Sequence, residues 1–147
     1  MKNTEIRTPK TKVEFEQYYD LRWQILRKPW NRPRGTEKDE FEDRSIHLAA
    51  FFNGEVIGCG RGHFVTPYKA QIRWMAVEEE YQGQGLGTRL LKALEAKLFS
   101  AGAEEIVLKA RENAVNLYTK QGYIIFKEGE MMFGEIKHFW MRKKKIK

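Results

Sequence analysis

The sequence is poor in several features that would assign it to common classes of small protein. Cys59 is the only cysteine in 147 residues, which excludes an internal disulfide and a cysteine-based metal site. No apolar run approaches the roughly 20 residues that a membrane-spanning helix requires. The polar N-terminal segment has no apolar centre of the kind found in secretory signals. Together with the length, these absences predict a single domain over residues 1–147 in the reducing cytoplasm, with no membrane partner.

Apolar residues and positive charge are both plentiful. Hydrophobic residues make up 41% of the chain, including nine Phe, six Tyr and four Trp, which is enough for a packed core. The net charge of +7 suits an anionic cofactor, an acidic partner or nucleic acid, or it serves solubility alone. Much of the excess lies in residues 142–145 and Lys147, which are typical of a solvated tail. Because no aromatic stacking motif accompanies this stretch, we do not expect nucleic acid to be a partner.

The strongest local signal is a strand, a glycine-rich loop and a helix in succession between residues 71 and 101. A strand is predicted over 71–77, with Ile72, Trp74 and Ala76 alternating with the residues between them. The helix that follows the loop carries an apolar residue at every fourth position and ends before Gly102. The repeating residues are Leu86, Leu90, Leu94 and Leu98.

The loop between them, residues 82–88, has the composition of a phosphate site. Gly83, Gly85 and Gly87 have no Cβ, so main-chain N–H groups there can approach an anion closely. The helix start adds unpaired N–H donors and a partial positive charge. The loop lacks the Lys before Thr88 that a Walker motif needs, and its glycine spacing differs from the dinucleotide fingerprint. A glycine-rich turn that only starts a helix is the alternative interpretation.

The remaining segments predict an alternation of strands and helices with one long loop. Residues 28–44 are charged and hold two prolines, so we expect a binding loop, or a surface excursion with Trp30 in a crevice. The other predicted elements are a strand at 5–7, a helix at 13–27, a hairpin of strands 46–52 and 55–64 around Asn53-Gly54, a strand at 105–110, a helix at 114–121, and strands at 123–126 and 136–142.

Two motifs in this order resemble the signatures of the GNAT superfamily of acyl-CoA-dependent N-acyltransferases. Gln82-x-x-Gly85-x-Gly87 looks like its pyrophosphate loop. Arg111-x-x-Ala114-x-x-Leu117-Tyr118-x-x-x-Gly122-Tyr123 looks like its closing motif, although Asn is usual where Arg111 stands. The resemblance spans nearly the whole chain. It implies an α/β (α+β) fold with a mixed, mostly antiparallel sheet of about seven strands, flanked by about four helices and splayed at the cofactor site.

The resemblance also implies acetyl-CoA as cosubstrate and no metal. The expected cofactor-binding residues are Met75, Ala76, Val77, Gln82, Gly83, Gln84, Gly85, Gly87, Thr88 and Asn113. The first three would form a strand edge that pairs with the pantetheine arm. Whether Arg111 or Asn113 supports that arm is left open by the departure from the motif.

The implied reaction is transfer of an acetyl group to a primary amine of a small molecule or protein. Tyr118 matches the family's general acid, and its alternative role is that of a core aromatic. Candidates for the base are His47, His63, His138, the Glu78–Glu80 run and a water chain. Candidates for holding the acceptor are Arg22, Arg27, Arg32 and Arg34 for an anion, or Glu40, Glu42 and Asp43 for a cation.

Two further expectations concern the class and assembly of the protein. A non-catalytic acyl-CoA-binding sensor on the same fold is the alternative to an enzyme. The resemblance also allows a homodimer formed through the last strands. Cys59, beside several glycines, is expected to be a small buried residue rather than an acyl carrier.

Overall fold

A central sheet of seven strands organises the computed structural model, which describes residues 3–146. The strands are β1 (Glu5–Arg7), β2 (Ile46–Phe52), β3 (Glu55–Phe64), β4 (Lys69–Val77), β5 (Glu105–Arg111), β6 (Ile124–Glu128) and β7 (His138–Lys144). The α-helices are α1 (Lys12–Leu26), α2 (Leu86–Ser100) and α3 (Val115–Lys120). The described residues thus contain three α-helices where about four helices were expected, and the other helical segments are short 3₁₀ turns.

The strand order β1-β2-β3-β4-β5-β7-β6 confirms the mixed, mostly antiparallel sheet. Only β4 and β5 run parallel, because α2 crosses over between them. Their pairing stops at Ile72 and Leu108, and beyond that point the two strands have no ladder with each other. The sheet therefore opens in its middle, as the prediction of splayed strands requires.

One face of the sheet is covered by α2 at unusually close range. A Cβ built on Gly58, Gly60 or Gly62 of β3 would lie 2.8–2.9 Å from the side chains of Leu90, Leu94 and Leu98 respectively. These leucines are fully buried, and they repeat at the same interval as one turn of the helix. The three glycines of β3 therefore let α2 rest on bare main chain.

The opposite face is covered by α1, and a bulge in β4 changes which residues reach it. Thr11 caps α1 by accepting a hydrogen bond from the Glu14 N–H. In β4, Arg73 pairs with Arg61 while Ala76 pairs with Cys59, so β4 carries an extra residue there, and Trp74 has φ of +64°. The predicted alternation is confirmed in burial, because Ile72, Trp74 and Ala76 are buried and the residues between them are less so, but these three residues do not share one face.

The bulge separates the residues that were predicted to share one face of β4. Ile72 packs in the cluster beneath α2, whereas Ala76 packs in the cluster beneath α1. Trp74 stays on the α1 side, where the guanidinium groups of Arg22, Arg27 and Arg73 lie 4.3–5.0 Å from its ring. Its buried indole N–H has no hydrogen-bond acceptor among the described residues.

A buried ion network fastens the loop between α1 and β2 to the α1 face. Glu42 bridges Arg22 at 3.0 Å and Arg61 at 2.7 Å, and both arginines are fully buried. Asp39 bridges Arg61 and Arg73. Burial opposes ionisation of Asp39, but the hydrogen bonds from Arg61 and the Phe41 N–H and the charges of Arg61 and Arg73 together outweigh it and keep the pKa of Asp39 well below its usual range. The loop is thus anchored to the sheet by charge pairs that are largely enclosed.

Most of the basic residues predicted to form a solvated tail lie in a strand instead, although Lys144 and Lys145 are exposed. β7 extends through Lys144, and Lys143 pairs with the buried Glu95 of α2 at 3.1 Å. Lys147 lies outside the described residues. In residues 3–146, no helix is both long enough and apolar enough to cross a bilayer.

Candidate active site

A cavity of about 300 Å³ occupies the opening between β4 and β5. Its walls come from the diverging strand ends, the end of α1, the start of α3, and β7 with the loop before it. Residues of both sheet faces line it, so the cavity passes through the sheet rather than lying on one side. A molecule could therefore be approached by a second one from the opposite face.

Tyr118 lines this cavity from the α2 side of the sheet. Its ring packs edge-on against Tyr123 at 5.8 Å, and its side chain is buried. No residue in the described part of the chain forms a hydrogen bond with its hydroxyl. Burial raises the pKa of Tyr118 to about 12, so the phenol stays protonated at neutral pH.

The predicted phosphate loop is exposed and its main-chain donors are unpaired. Gly83 and Gly85 have φ of +79° and +81°, and a Cβ on either would meet no atom within 4 Å. From residue 83 to residue 88, no N–H group donates to an acceptor in the described chain. The first intrahelical bond is made by the Arg89 N–H to the Gly85 carbonyl. The loop presents a concave run of donors at the start of α2, which is suited to an anion.

The loop lies beside the end of β4 and the start of α3. The Gln82 side chain donates to the Val77 carbonyl at 2.9 Å, so it ties the loop to the strand. A Cβ on Gly87 would lie 3.8 Å from Leu117 and 3.9 Å from Val77. Thr88 follows in the first turn of α2 and is half-buried. The donors of the loop and the Tyr118 ring therefore lie on the same side of the sheet.

The strand edge that is predicted to pair with the pantetheine arm has no strand partner. Met75, Ala76 and Val77 lie beyond the last β4–β5 pair, so the β5-facing edge of β4 has no strand partner there. Met75 lines the cavity, and Ala76 pairs with Cys59 on the other edge. An amide-bearing chain could hydrogen-bond to this free edge as an added strand would.

Asn113 and Arg111 occupy different environments. Asn113 is exposed in the 3₁₀ turn between β5 and α3, and it is not among the residues that line the cavity. Arg111 does line it and donates to the Leu26 carbonyl at 3.3 Å, from the α1 side. Arg111 thus points toward α1, so it is not directed to the side on which the phosphate loop lies.

Only one of the candidate bases lines the cavity. His47 uses both ring nitrogens, because Nε2 donates to the Glu42 carbonyl and Nδ1 accepts from Tyr18. His63 stacks on Phe41 away from the cavity. Glu78, Glu79 and Glu80 are also outside it.

His138 is the histidine that lines the cavity. Its Nδ1 lies 3.1 Å from the Ile136 carbonyl, which can only accept, so Nδ1 carries the proton and Nε2 carries a lone pair. Burial, aided by the positive charges of Lys109, Arg111 and Arg27, lowers the pKa of His138. The ring is therefore neutral at pH 7 and able to accept a proton.

Cys59 is not placed for chemistry. Its side chain is fully buried and donates to the Trp74 carbonyl. Burial raises the pKa of its thiol to about 11. The thiol is therefore inert, in line with its expected structural role.

Positive charge dominates the α1 side of the cavity. Among the described residues that line it there are four cationic side chains and no carboxylate. They are Arg27, Arg73, Lys109 and Arg111. Of these, sequence reasoning identified only Arg27 as a candidate for holding the acceptor. A signal did exist for two of the others, since Arg73 and Lys109 each lie between apolar residues of a strand.

Comparison with known proteins decides the family. The model of the acetyltransferase (GNAT) family matches residues 15–123. The chain belongs to the GNAT family. Membership makes it an acyltransferase. The matched range contains Tyr118 and the glycine-rich loop of residues 82–88, which we call the amide loop.

Relatives of this GNAT protein match it over most of their length. A Bacillus subtilis protein named uncharacterized N-acetyltransferase YjcF is 28% identical over 134 residues, which cover 91% of this chain and 95% of that protein. A GNAT family acetyltransferase from Elizabethkingia anophelis, solved with acetyl-CoA bound, is 21% identical with a TM-score of 0.79, covering 99% of this chain and 100% of that one.

A second solved structure shares the fold at similar distance. An aminoglycoside 6'-N-acetyltransferase complexed with coenzyme A is 19% identical with a TM-score of 0.81, covering 98% of this chain and 97% of that one. At such identities the two solved structures establish the GNAT fold for this chain.

Proposed function

We propose that this GNAT protein is an N-acetyltransferase that moves an acetyl group from acetyl-CoA to a primary amine. The observation that carries the proposal is the joint position of three features on the opened sheet. The unpaired donors of residues 83–88, the free edge of β4 and the protonated Tyr118 follow one another along a single side. A diphosphate, an amide-bearing arm and a thioester would meet them in that order.

Each feature suits one part of acetyl-CoA. The amide loop offers N–H groups to the diphosphate, with Gln82 holding the loop against β4. Met75, Ala76 and Val77 offer main-chain pairing to pantetheine, and a β4 N–H offers a hydrogen bond to the oxyanion that develops during acyl transfer. Asn113 is exposed in the 3₁₀ turn before α3, and we propose that it contacts the pantetheine arm there.

The reaction can be balanced with groups that line the cavity. The neutral amine attacks the thioester carbonyl, a C–N bond forms and the C–S bond breaks. The amine proton passes to a base, and the Tyr118 hydroxyl gives its proton to the departing sulfur. Burial raises the pKa of Tyr118 to about 12. Burial also raises the pKa of a thiol, as it does for Cys59, so a thiolate that leaves inside the cavity is closer in basicity to the phenolate than it is in water.

We assign the role of base to His138. It faces the cavity with Nε2 unprotonated, while Lys109 and Arg111 of β5 and Arg27 of α1 favour its neutral form. The same positive charges lower the pKa of a bound ammonium group, which eases deprotonation of the acceptor. His47 and His63 are excluded as bases by their hydrogen bonds and by their position outside the cavity.

Substituting His138 by glutamine is expected to lower kcat about 100-fold or more, because an amide cannot take the amine proton. In the wild type, kcat should fall as pH drops through the lowered pKa of His138, since the protonated ring accepts nothing. In His138→Gln that acid limb should disappear. Steady-state rates from pH 5 to 9 measure both effects.

His63→Gln is the matched control, because His63 is also buried with a lowered pKa but lies outside the cavity. Its kcat and its acid limb should stay as in the wild type. If His138→Gln keeps the wild-type kcat and pH profile, another group or water is the base.

Calorimetry with coenzyme A and thiol release from acetyl-CoA with a panel of primary amines test the proposed function together. Heat of binding and amine-dependent thiol release are expected. Binding of coenzyme A without turnover of any amine would favour the alternative, a non-catalytic acyl-CoA-binding sensor. Absence of binding at millimolar coenzyme A would reject both.

Two further proposals concern the cellular location and the assembly of the protein. A cytoplasmic location is proposed from the composition and the single reduced, buried cysteine. A homodimer through the last strands is proposed because the edge strand β6 exposes Ile124, Ile125 and Phe126. Light scattering on the purified protein tests the second of these.

A further inference from the structure

The cation-lined side of the cavity is the part of the site that acetyl transfer itself does not require. On β5, Ile106, Leu108 and Ala110 pack in the core beneath α2, so Lys109 and Arg111 alternate to the α1 face. Arg73 joins them from β4 through its contact with the loop between α1 and β2, and Arg27 joins from the end of α1. We call these four residues the cationic wall.

The wall has a surplus of charge within the described chain. Arg73 has an ion pair, with Asp39, which it shares with Arg61. Arg27 donates only to the main-chain carbonyls of Thr36 and Leu26, and Arg111 only to that of Leu26. Lys109 has no ion pair and lies 5.8 Å from the Trp140 ring. Three of the four charges thus have no carboxylate within ion-pair distance among the described residues, although Glu37 acts on Arg27 and Glu130 acts on Lys109 from farther away.

The acidic residues that were candidates for holding a cationic acceptor either form ion pairs with other residues or lie outside the cavity. Glu42 is bound between Arg22 and Arg61. Glu40 and Asp43 are exposed and do not line the cavity. Arg34, an earlier candidate for the acceptor, pairs with Asp20, and Arg32 lies over the Phe133 ring. These positions favour anion-holding groups over cation-holding groups in the cavity.

The four cationic side chains of the wall repel one another when no counter-ion is present. Burial, then the charges of Arg73 and Arg111, lower the pKa of Arg27 to about 10. Burial likewise lowers the pKa of Arg73, Lys109 and Arg111. An anion in the cavity would relieve this repulsion, whereas an ammonium ion without an attached anion would add to it.

The anion that fits is not the diphosphate of coenzyme A. The amide loop that suits a diphosphate starts α2, which covers the opposite face of the sheet from α1. A second anion must therefore come with the molecule that enters from the α1 side, and the size of the cavity, about 300 Å³, suits a small metabolite.

We infer that the acceptor is a small primary amine that also carries an oxyacid anion, a carboxylate or a phosphate, held by the cationic wall of Arg27, Arg73, Lys109 and Arg111. This inference rests on the proposed function. Planar guanidinium groups bind either oxyacid through paired hydrogen bonds, and Lys109 adds a point charge. Anchoring the anion fixes the amine on the same molecule relative to the thioester.

Matched pairs of amines test the inference by thiol release from acetyl-CoA. Phosphoethanolamine is compared with ethanolamine, β-alanine with β-alaninamide, and spermidine serves as a polycation. We expect kcat/KM to be at least about tenfold higher for one anionic member than for the partner amine that lacks the oxyacid group, with spermidine a poor substrate. The phosphate and carboxylate arms show which oxyacid is used. Raised salt should increase KM for the anionic member only.

Lys109→Gln is the informative variant, because Lys109 is exposed and removing its charge disturbs no ion pair. It should raise KM for the anionic amine about tenfold, with a much smaller change in KM for the partner amine that lacks the oxyacid group and no change in coenzyme A affinity. Because Lys109 also helps to lower the pKa of His138, any change in kcat should be the same for both amines. Lys92→Gln on the exposed side of α2 makes the same change in net charge away from the cavity and should do nothing.

Calorimetry separates failure of this inference from failure of the proposed function. Heat with phosphoethanolamine or β-alanine on CoA-saturated protein, lost in Lys109→Gln, without turnover would support the anion site and reject the enzyme. Turnover of ethanolamine, β-alaninamide or spermidine equal to or better than the anionic amines would overturn the inference and leave the enzyme. Coenzyme A binding with neither heat nor turnover for any amine would overturn both.

Discussion

Replacing Gly85 by valine is expected to raise the Kd for coenzyme A by at least about 100-fold. Gly85 has φ of +81°, a conformation that a β-branched residue adopts only with strain. The loop would relax and turn its N–H groups away from the diphosphate. Because each hydrogen bond to a charged group contributes roughly 1.5–3 kcal/mol, losing two gives a change of this size.

Gly54→Val is the control for this variant. Gly54 has φ of +79° and the same open space around its Cα, but it lies in the hairpin between β2 and β3. It should lose similar stability, measured by thermal unfolding, with no change in Kd measured by calorimetry. Equal coenzyme A affinity for Gly85→Val and the wild type would mean that residues 83–88 do not hold the diphosphate.

Tyr118→Phe is expected to lower kcat by about 100- to 10,000-fold, the range typical of losing a general acid. Phenylalanine keeps the ring that packs against Tyr123, and the hydroxyl it removes has no hydrogen-bond partner among the described residues. The fold and the Kd for coenzyme A should therefore be unchanged. Thiol release under saturating substrates measures the loss.

Tyr123→Phe provides the matched comparison, since Tyr123 is buried against Tyr118 and its hydroxyl interacts with Glu95 of α2 rather than with the cavity. It does not line the cavity, so kcat should stay within about twofold of the wild type. Should both variants lose activity equally, the effect would come from packing. Should Tyr118→Phe keep full activity, the sulfur leaves without a proton from this phenol.

The order of elements could be read from the sequence because local rules and long-range packing agree in most segments. The Leu86 to Leu98 repeat, the Asn53-Gly54 turn and the glycines at 83, 85 and 87 each require the structure that is found. The amide loop and Tyr118 could be placed for the same reason: each lies in one continuous segment whose motif is local.

The bulge in β4 could not be predicted, because nothing local favours it. A tryptophan at φ of +64° conflicts with its own backbone preference, and what surrounds it comes from elsewhere in the chain. Arg22 and Arg27 of α1 lie against its ring at 5.0 and 4.5 Å. The contacts of the folded structure, not the sequence of the strand, determine this part of the site.

The cationic wall was missed for a related reason. Arg73 and Lys109 are 36 positions apart in the chain, and they meet only because β4 and β5 are neighbours and diverge at the right place. The basic C-terminal residues gave the opposite error, since Lys143 lies in β7 opposite Glu95 of α2. Charge in a sequence can be counted, but its pairing depends on the register of strands.

The strip of bare main chain along β3 sets how far α2 stands from the sheet, and so where the amide loop at its start can reach. Adding even a methyl group at Gly60 would act as a wedge, because the nearest atoms of Met75 and Leu94 lie within 2.8 Å of that point. Met75 and Leu94 would have to shift, and any movement of α2 that accompanies the shift would carry the loop with it. Affinity for acetyl-CoA thus depends on the three glycines of β3, which do not contact it. Substitutions at these glycines would be detected first as weaker binding of acetyl-CoA.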